Sequence, residues 1–385
     1  MVHTIPGIPP PPAPKSPLGR YRILSPTASV RVSPFCLSGM SFGTGWGGDI
    51  KGCTQKKAEA ALDFYFENGG MSWASACNFV DTANNYQGEE SEKIIGDWMA
   101  RRVISTKYST NFRAEHGDSE IMINSTGNSA KSLITSVNAS LEKLQTDYID
   151  ILYVHWWDHS TSYIELVQSL NHLVATGKVL YLGVSNMPAW VVSRANEYAR
   201  AHGHRQFSVY QGRWSASNSD LEREIAPMAQ SEGMAVIASG VISGPVFMTS
   251  EQRLAYKSGH KQMNEHETKL CKVLGAIADE KYTSPVCVGL AYVMQKQPYV
   301  FPLIPNPSVG GLQESMQALT ITLSKTDMAR IEGAAPFSPG FPHDLLSWNG
   351  RETDPWLPRA GGHINYVPSP EPIKLSSEMP REPSF

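Results

Sequence analysis

The sequence predicts an α/β protein built as a (β/α)8 TIM barrel, with an N-terminal hairpin, a long loop after the seventh barrel strand and an irregular C-terminal tail. Three observations predict it. Eight short apolar runs recur along the 385 residues. An amphipathic helical stretch lies between most of them. Several runs end abruptly in a polar residue, as interior strands do where they emerge at the mouth of a barrel. A doubly wound sheet is the competing architecture, but it does not call for eight consecutive similar units.

In chain order, residues 1–20 form a Pro-rich tail, with Pro6, Pro9 to Pro12, Pro14 and Pro17 favouring an extended, poorly ordered chain. The barrel is expected over 21–345 and an irregular extension over 346–385. Tyr21–Leu24 and Val30–Val32 flank a Ser/Pro/Thr turn and read as a hairpin. The eight runs are Phe35–Leu37, Phe79–Val80, Val103–Ser105, Ile149–Val154, Val179–Val184, Phe207–Tyr210, Met234–Ala238 and Tyr299–Ile304. Between them, Leu133, Val137, Leu141 and Leu144 recur at helical spacing, as do Leu166, Leu170 and Leu173. Glu89, Glu90 and Glu92 load the first turn of a helix that carries Ile94, Ile95 and Trp98 inward. The stretch from Gly244 to Thr283 is longer than an ordinary connection and reads as a lid over the barrel mouth. Ser284 and Pro285 open a helix that runs to about Lys296. Ser324 and Asp327 form a capping box for a helix that Gly333 stops. Gly43, Gly45 and Gly48 match the dinucleotide fingerprint in spacing only, because Asp49–Gly52 is no helix opening.

Composition narrows the function. A net charge of −3 and a pI near 6.4 give no electrostatic reason to expect nucleic acid or an anionic membrane as partner. No apolar run approaches the ~18 residues of a membrane span, and the N-terminus shows no secretory pattern. The five cysteines are odd in number and form no CxxC pair, so free core thiols in a reducing, cytoplasmic setting are expected, and no metal site.

The polar residues at the strand ends carry the chemistry. The second run ends in Asp81, with Tyr86 on the following loop; the third leads to Lys107 and the fourth to His155. The fifth ends in Ser185 and Asn186, and the sixth reaches Gln211. All should converge at the barrel mouth. A lone Lys or His there is usually solvated or structural. Four titratable groups of complementary type on three adjacent strands point to a site.

These residues stand in stretches that resemble the aldo-keto reductases, and within them the fungal aryl-alcohol dehydrogenase and norsolorinic acid reductase branch. The resemblance runs from Tyr21 to about Pro368 and is carried by FVDTANNYQ (79–87), STKY (105–108), LQTDYIDILYVH (144–155), GVSN (183–186), VYQGRW (209–214) and PGFP (339–342). It implies hydride transfer from NADP(H) to a carbonyl of an aromatic or polyketide-type small molecule, or the reverse oxidation of an alcohol. It also implies Tyr86 as proton donor, Lys107 as the cation that lowers the tyrosine pKa, Asp81 as the partner of that lysine, and His155 as the group that orients the carbonyl. Ser185, Asn186 and Gln211 would hold the nicotinamide carboxamide, and Gly240, Gly244 and Ser315 would lie along the rest of the cofactor.

The chain also departs from that pattern. Met71–Cys77 reads as an insertion, and the connection after Arg102 as shortened, both at the N-terminal face. Ile237–Val241 lacks the aromatic residue that stacks on the nicotinamide, and Ser315 replaces an asparagine. No Lys or Arg occurs from Phe301 through Ser324, so a weaker preference for NADPH over NADH is expected unless Arg253, Lys257 or Lys261 compensates. The substrate pocket is expected from Trp46, Trp156, Trp157 and Trp348. Two rival functions follow from the degenerate cofactor loops: redox-neutral chemistry on the same barrel, and a nucleotide-binding regulatory subunit.

Overall fold

The computed structural model describes residues 13–47, 52–69, 77–98, 103–114, 121–248, 263–305, 308–345 and 370–373. An antiparallel hairpin, β1 (Arg22–Ser25) and β2 (Ala28–Val32), precedes eight parallel strands. These are β3 (Cys36–Ser38), β4 (Phe79–Asp81), β5 (Val103–Tyr108), β6 (Ile149–Val154), β7 (Val179–Ser185), β8 (Phe207–Arg213), β9 (Ala235–Ser239) and β10 (Val300–Ile304). They close in chain order, with β10 paired to β3. The expected (β/α)8 barrel is the fold.

Strand alternation divides the apolar residues into two layers. One side-chain set from the strands, with Phe79, Ile151, Tyr153, Val209, Ile237 and Phe301 among its members, fills the inside of the barrel. Leu24, Ala28 and Val32 of the hairpin join this inner cluster. Gly183 makes room for Tyr153, since a Cβ at Gly183 would lie 2.5 Å from that ring. The other set packs outward on the helices.

Ten helices surround the strands among the described residues: α1 (Gln55–Glu67), α2 (Glu90–Trp98), α3 (Ala130–Leu144), α4 (Tyr163–Ala175), α5 (Ala189–Ala201), α6 (Ile225–Ser231), α7 (Glu265–Glu280), α8 (Pro285–Lys296), α9 (Val309–Met316) and α10 (Lys325–Ala334). Their starts are written locally. Ser129 and Ser162 accept the N–H of Ser132 and Glu165, and Ser284 accepts that of Cys287 ahead of Pro285. Ser324 and Asp327 form the expected capping box.

Several expectations need correction. The stretch from Gly244 to Thr283 is not one long loop: α7 occupies Glu265–Glu280, opened by a capping box between Asn264 and Glu267. Gly333 does not stop α10, which continues to Ala334 with Ala335 as its cap. The tail is structured before residue 21, where Pro17–Gly19 forms a 3-10 turn and Leu18 is buried. β5 and β8 extend beyond their apolar runs, to Tyr108 and Arg213, because polar residues at the mouth still pair in the sheet. Arg253, Lys257, Lys261 and Trp348 lie outside the described residues, as do 71–76, Arg102 and Pro307.

Candidate active site

Asp81 closes β4 and Lys107 is the fifth residue of β5, so the pleat turns both side chains to the barrel interior. Neither is exposed at all. Lys107 Nζ lies 2.5 Å from Asp81 Oδ2 and donates to the Thr82 carbonyl at 2.7 Å. The other Asp81 oxygen accepts from Ser105 Oγ at 2.8 Å and from Gln211 Nε2 at 3.1 Å. The carboxylate is therefore fixed by residues of two other strands, β5 and β8. Burial alone would drive the Lys107 ammonium down, but Asp81 and then Tyr86 outweigh it, and its pKa is raised.

Tyr86 lies on the loop between β4 and α2, with its ring centroid 5.0 Å from Lys107 Nζ. Its ring meets His155 edge-on at 6.1 Å and Trp46 edge-on at 5.7 Å. Burial pushes the phenol up, Lys107 pulls it back, and Asp81 adds to the rise; the net direction is up. His155 follows β6. Burial, reinforced by the Lys107 charge, lowers its pKa to about 3, so the imidazole is neutral at ordinary pH.

The loop that carries Tyr86 is braced from outside the barrel. Lys143 of α3 donates to the Asn84 carbonyl at 3.0 Å and pairs with Glu89 at 2.9 Å and Glu92 at 2.8 Å. Asn84 Nδ2 reaches Ser136 Oγ and the Thr110 carbonyl. Glu92 is fully buried and also accepts from Thr106 Oγ1 at 2.6 Å. Gln87 and Glu89 take left-handed backbone conformations, as do Ser109 and Asn186 at neighbouring strand ends. Strained non-glycine backbone concentrates where surrounding contacts over-determine it.

Ser185 and Asn186 end β7, and Asn186 Nδ2 donates to Ser185 Oγ at 3.0 Å and to the His155 carbonyl at 3.2 Å. Gly240 and Gly244 follow β9 with φ of +67° and +93°, conformations open to glycine at no steric cost. Ser315 is not part of this cluster: it is buried on α9 and donates to the Gly311 carbonyl at 2.8 Å. The structure thus brings Asp81, Tyr86, Lys107, His155 and Gln211 together and sets Ser185 and Asn186 beside them.

A model of the aldo/keto reductase family matches residues 35–336, which span the whole barrel. The chain belongs to the aldo/keto reductase family. It is 45% identical to norsolorinic acid reductase B of Dothistroma septosporum, across 93% of this chain and 95% of that protein. It is 44% identical to an aryl-alcohol dehydrogenase of Pestalotiopsis microspora, covering 95% and 96% of the two chains. With the aldo-keto reductase ausK of Emericella nidulans the identity is 43%, over 89% and 88%. This aldo/keto reductase is accordingly an oxidoreductase.

Four polar groups of the aldo/keto reductase escaped the sequence reading. Glu92 was read only as an acid in the first turn of a helix, and nothing in the sequence singles out Lys143 or Thr110. Arg213 could have been found: it lies two residues beyond Gln211, on the same face of β8, and pairs in register with Ser239.

Proposed function

We propose that this enzyme is an NADP-dependent carbonyl reductase, working in reverse as an alcohol dehydrogenase, on an aromatic or polyketide-type secondary metabolite, with Tyr86 as general acid. The observation that carries the reading is the buried Asp81–Lys107 pair set against the Tyr86 ring, with neutral His155 edge-on to the same ring. The relatives' names refer to norsolorinic acid and aryl alcohols, and the substrate class is taken from them.

The residues present fit a nicotinamide. Gln211 spends its Nε2 on Asp81 and keeps its carbonyl oxygen as an acceptor, while Ser185 and Asn186 offer a hydroxyl and a second amide. Gly240 and Gly244 would let the chain approach the phosphates, and Arg213 would supply a cation at the mouth. The cofactor, when bound, supplies the hydride. Trp46 and Tyr86 wall one side of the space in which a planar substrate would lie.

The chain's own work is proton delivery. A carbonyl oxygen that gains charge during reduction needs a donor and a proton. Tyr86 is protonated at neutral pH, since burial only raises a phenol pKa that is ordinarily near 10, so its proton is available. Lys107 stabilises the phenolate left behind and Asp81 keeps Lys107 charged and in place. His155, being neutral, donates a hydrogen bond to the same oxygen without competing as an acid. The five cysteines are all free and buried, which supports a reducing, cytoplasmic setting.

The test uses NADPH deuterated at either face of C4, with an aryl aldehyde as acceptor. One of the two isotopomers should place deuterium on the alcohol carbon of the product. Product without deuterium from either, or no consumption of NADPH with any carbonyl tried, favours the redox-neutral or regulatory alternatives.

A further inference from the structure

Thr110 and Trp156 form a short chain of hydrogen bonds behind His155. Trp156 Nε1 lies 3.0 Å from Thr110 Oγ1. Thr110 Oγ1 lies 3.3 Å from His155 Nδ1. An indole N–H can only donate, so it occupies one lone pair of the threonine hydroxyl. The hydroxyl carries a single proton, and His155 Nδ1 is the acceptor within reach. We propose that Thr110, held by Trp156, is a positioning residue that donates to His155 Nδ1 and so fixes the proton of the imidazole on Nε2. The inference rests on the reading of His155 as the group that orients the carbonyl.

The chemistry depends on this choice. A neutral imidazole has one donor and one acceptor nitrogen. With Nδ1 accepting, Nε2–H is the donor needed to hold a carbonyl oxygen. In the other tautomer Nδ1–H would donate to Thr110, and a bare Nε2 lone pair would face the oxygen and repel it. The threonine proton would also lose this acceptor.

Thr110 is itself anchored where this role requires it. Its carbonyl accepts from Asn84 Nδ2 at 3.0 Å, which ties it to the loop carrying Tyr86. Ser109, immediately before it, takes a left-handed conformation with φ of +108°, and its hydroxyl accepts the His155 backbone N–H at 3.3 Å. The His155 carbonyl accepts from Asn186 Nδ2 on the far side. The imidazole backbone and its Nδ1 are thus fixed relative to the Tyr86 loop and to β7. None of these contacts uses Nε2.

The role is read directly by nitrogen NMR on the full chain labelled with 15N-histidine. His155 is assigned among the eleven histidines by its loss in His155→Asn. In the wild type Nδ1 should appear as an unprotonated acceptor and Nε2 as protonated. Thr110→Val should move both resonances toward tautomer averaging and lower kcat on an aryl aldehyde about tenfold, the worth of one positioning hydrogen bond. The Kd for NADPH, read by nicotinamide fluorescence, should not change. Thr110→Ser should restore both spectrum and turnover. A wild-type spectrum with the proton on Nδ1 overturns the proposal, as does a His155 spectrum unmoved in Thr110→Val. If Thr110→Val fails to fold, the wild-type tautomer still decides. Failure of the reductase reading alone looks different: His155 would keep its Nε2 proton and its spectrum would still respond to Thr110→Val, while the wild type reduced no aryl aldehyde.

Discussion

A lysine with none of its side chain exposed has to be paired, because taking an unpaired ammonium out of water costs several kcal/mol. At Lys107 the partners are Asp81 and the Thr82 carbonyl, and the ion that results sits beside a phenol. The residue types were legible in the sequence because each polar group interrupts an apolar strand at its C-terminal end. Their net electrostatics were not. The sequence suggests a tyrosine whose pKa falls, whereas burial outweighs Lys107 and raises it. The consequence for pH is direct. His155, with its pKa lowered to about 3, contributes no titration near its ordinary value, and Tyr86 stays protonated through neutrality. For carbonyl reduction, kcat/KM should be flat from roughly pH 6 to 9 and fall only above the ordinary tyrosine value of about 10. A limb centred near 6.5 that disappears in His155→Gln would show that the imidazole titrates during turnover and is not held neutral.

At the scale of elements, the loop between β4 and α2 is positioned by the helix of the next unit, α3. Lys143 on α3 touches Asn84, Glu89 and Glu92 at once, and Glu92 has no exposure. Removing one member of a buried pair costs about 3–5 kcal/mol, because the other charge is left without compensation. Lys143→Met should therefore lower the unfolding midpoint sharply. Adding Glu92→Gln should recover part of the loss by deleting the stranded charge. A loss below about 1 kcal/mol for Lys143→Met in denaturant unfolding would mean that the network is solvent-screened and does not brace the loop. Local signals such as Ser284-Pro285 and the Ser324/Asp327 box were legible because both partners lie within one turn. The Asn264/Glu267 box has the same pattern, yet it lies in a stretch whose length argued for a loop. Contacts such as Thr110 to His155, 45 residues apart, leave no local trace.

At the scale of the whole molecule, the barrel fixes chemistry at one end and stability elsewhere. Asp150 near the start of β6 illustrates the second. It is mostly buried, its Oδ2 accepts the Ile104 N–H at 3.0 Å, and burial raises its pKa to about 6. The native state thus binds this proton more tightly than the unfolded chain does. Asp150 contributes full stability below about pH 4, and the contribution is lost as pH rises through about 6. Asp150→Asn keeps an acceptor for Ile104 and cannot ionise. It should raise the thermal midpoint more at pH 8 than at pH 5, with a ceiling of ~3 kcal/mol at the higher pH. A difference that does not change with pH would contradict this account.

The (β/α)8 architecture was legible throughout, because eight apolar runs and their helices repeat a single physical pattern. Ser315 was assigned to the cofactor by the family resemblance; in the structure its hydroxyl donates to the Gly311 carbonyl one turn back on α9. The most direct test of the central claim is a single turnover of enzyme loaded with NADPH and mixed with an aryl aldehyde, comparing wild type with Tyr86→Phe. With Tyr86 as the acid, both proteins should bind NADPH equally, and the variant should reduce the aldehyde about 10²-fold more slowly or worse. Equal rates in the two proteins would contradict the account.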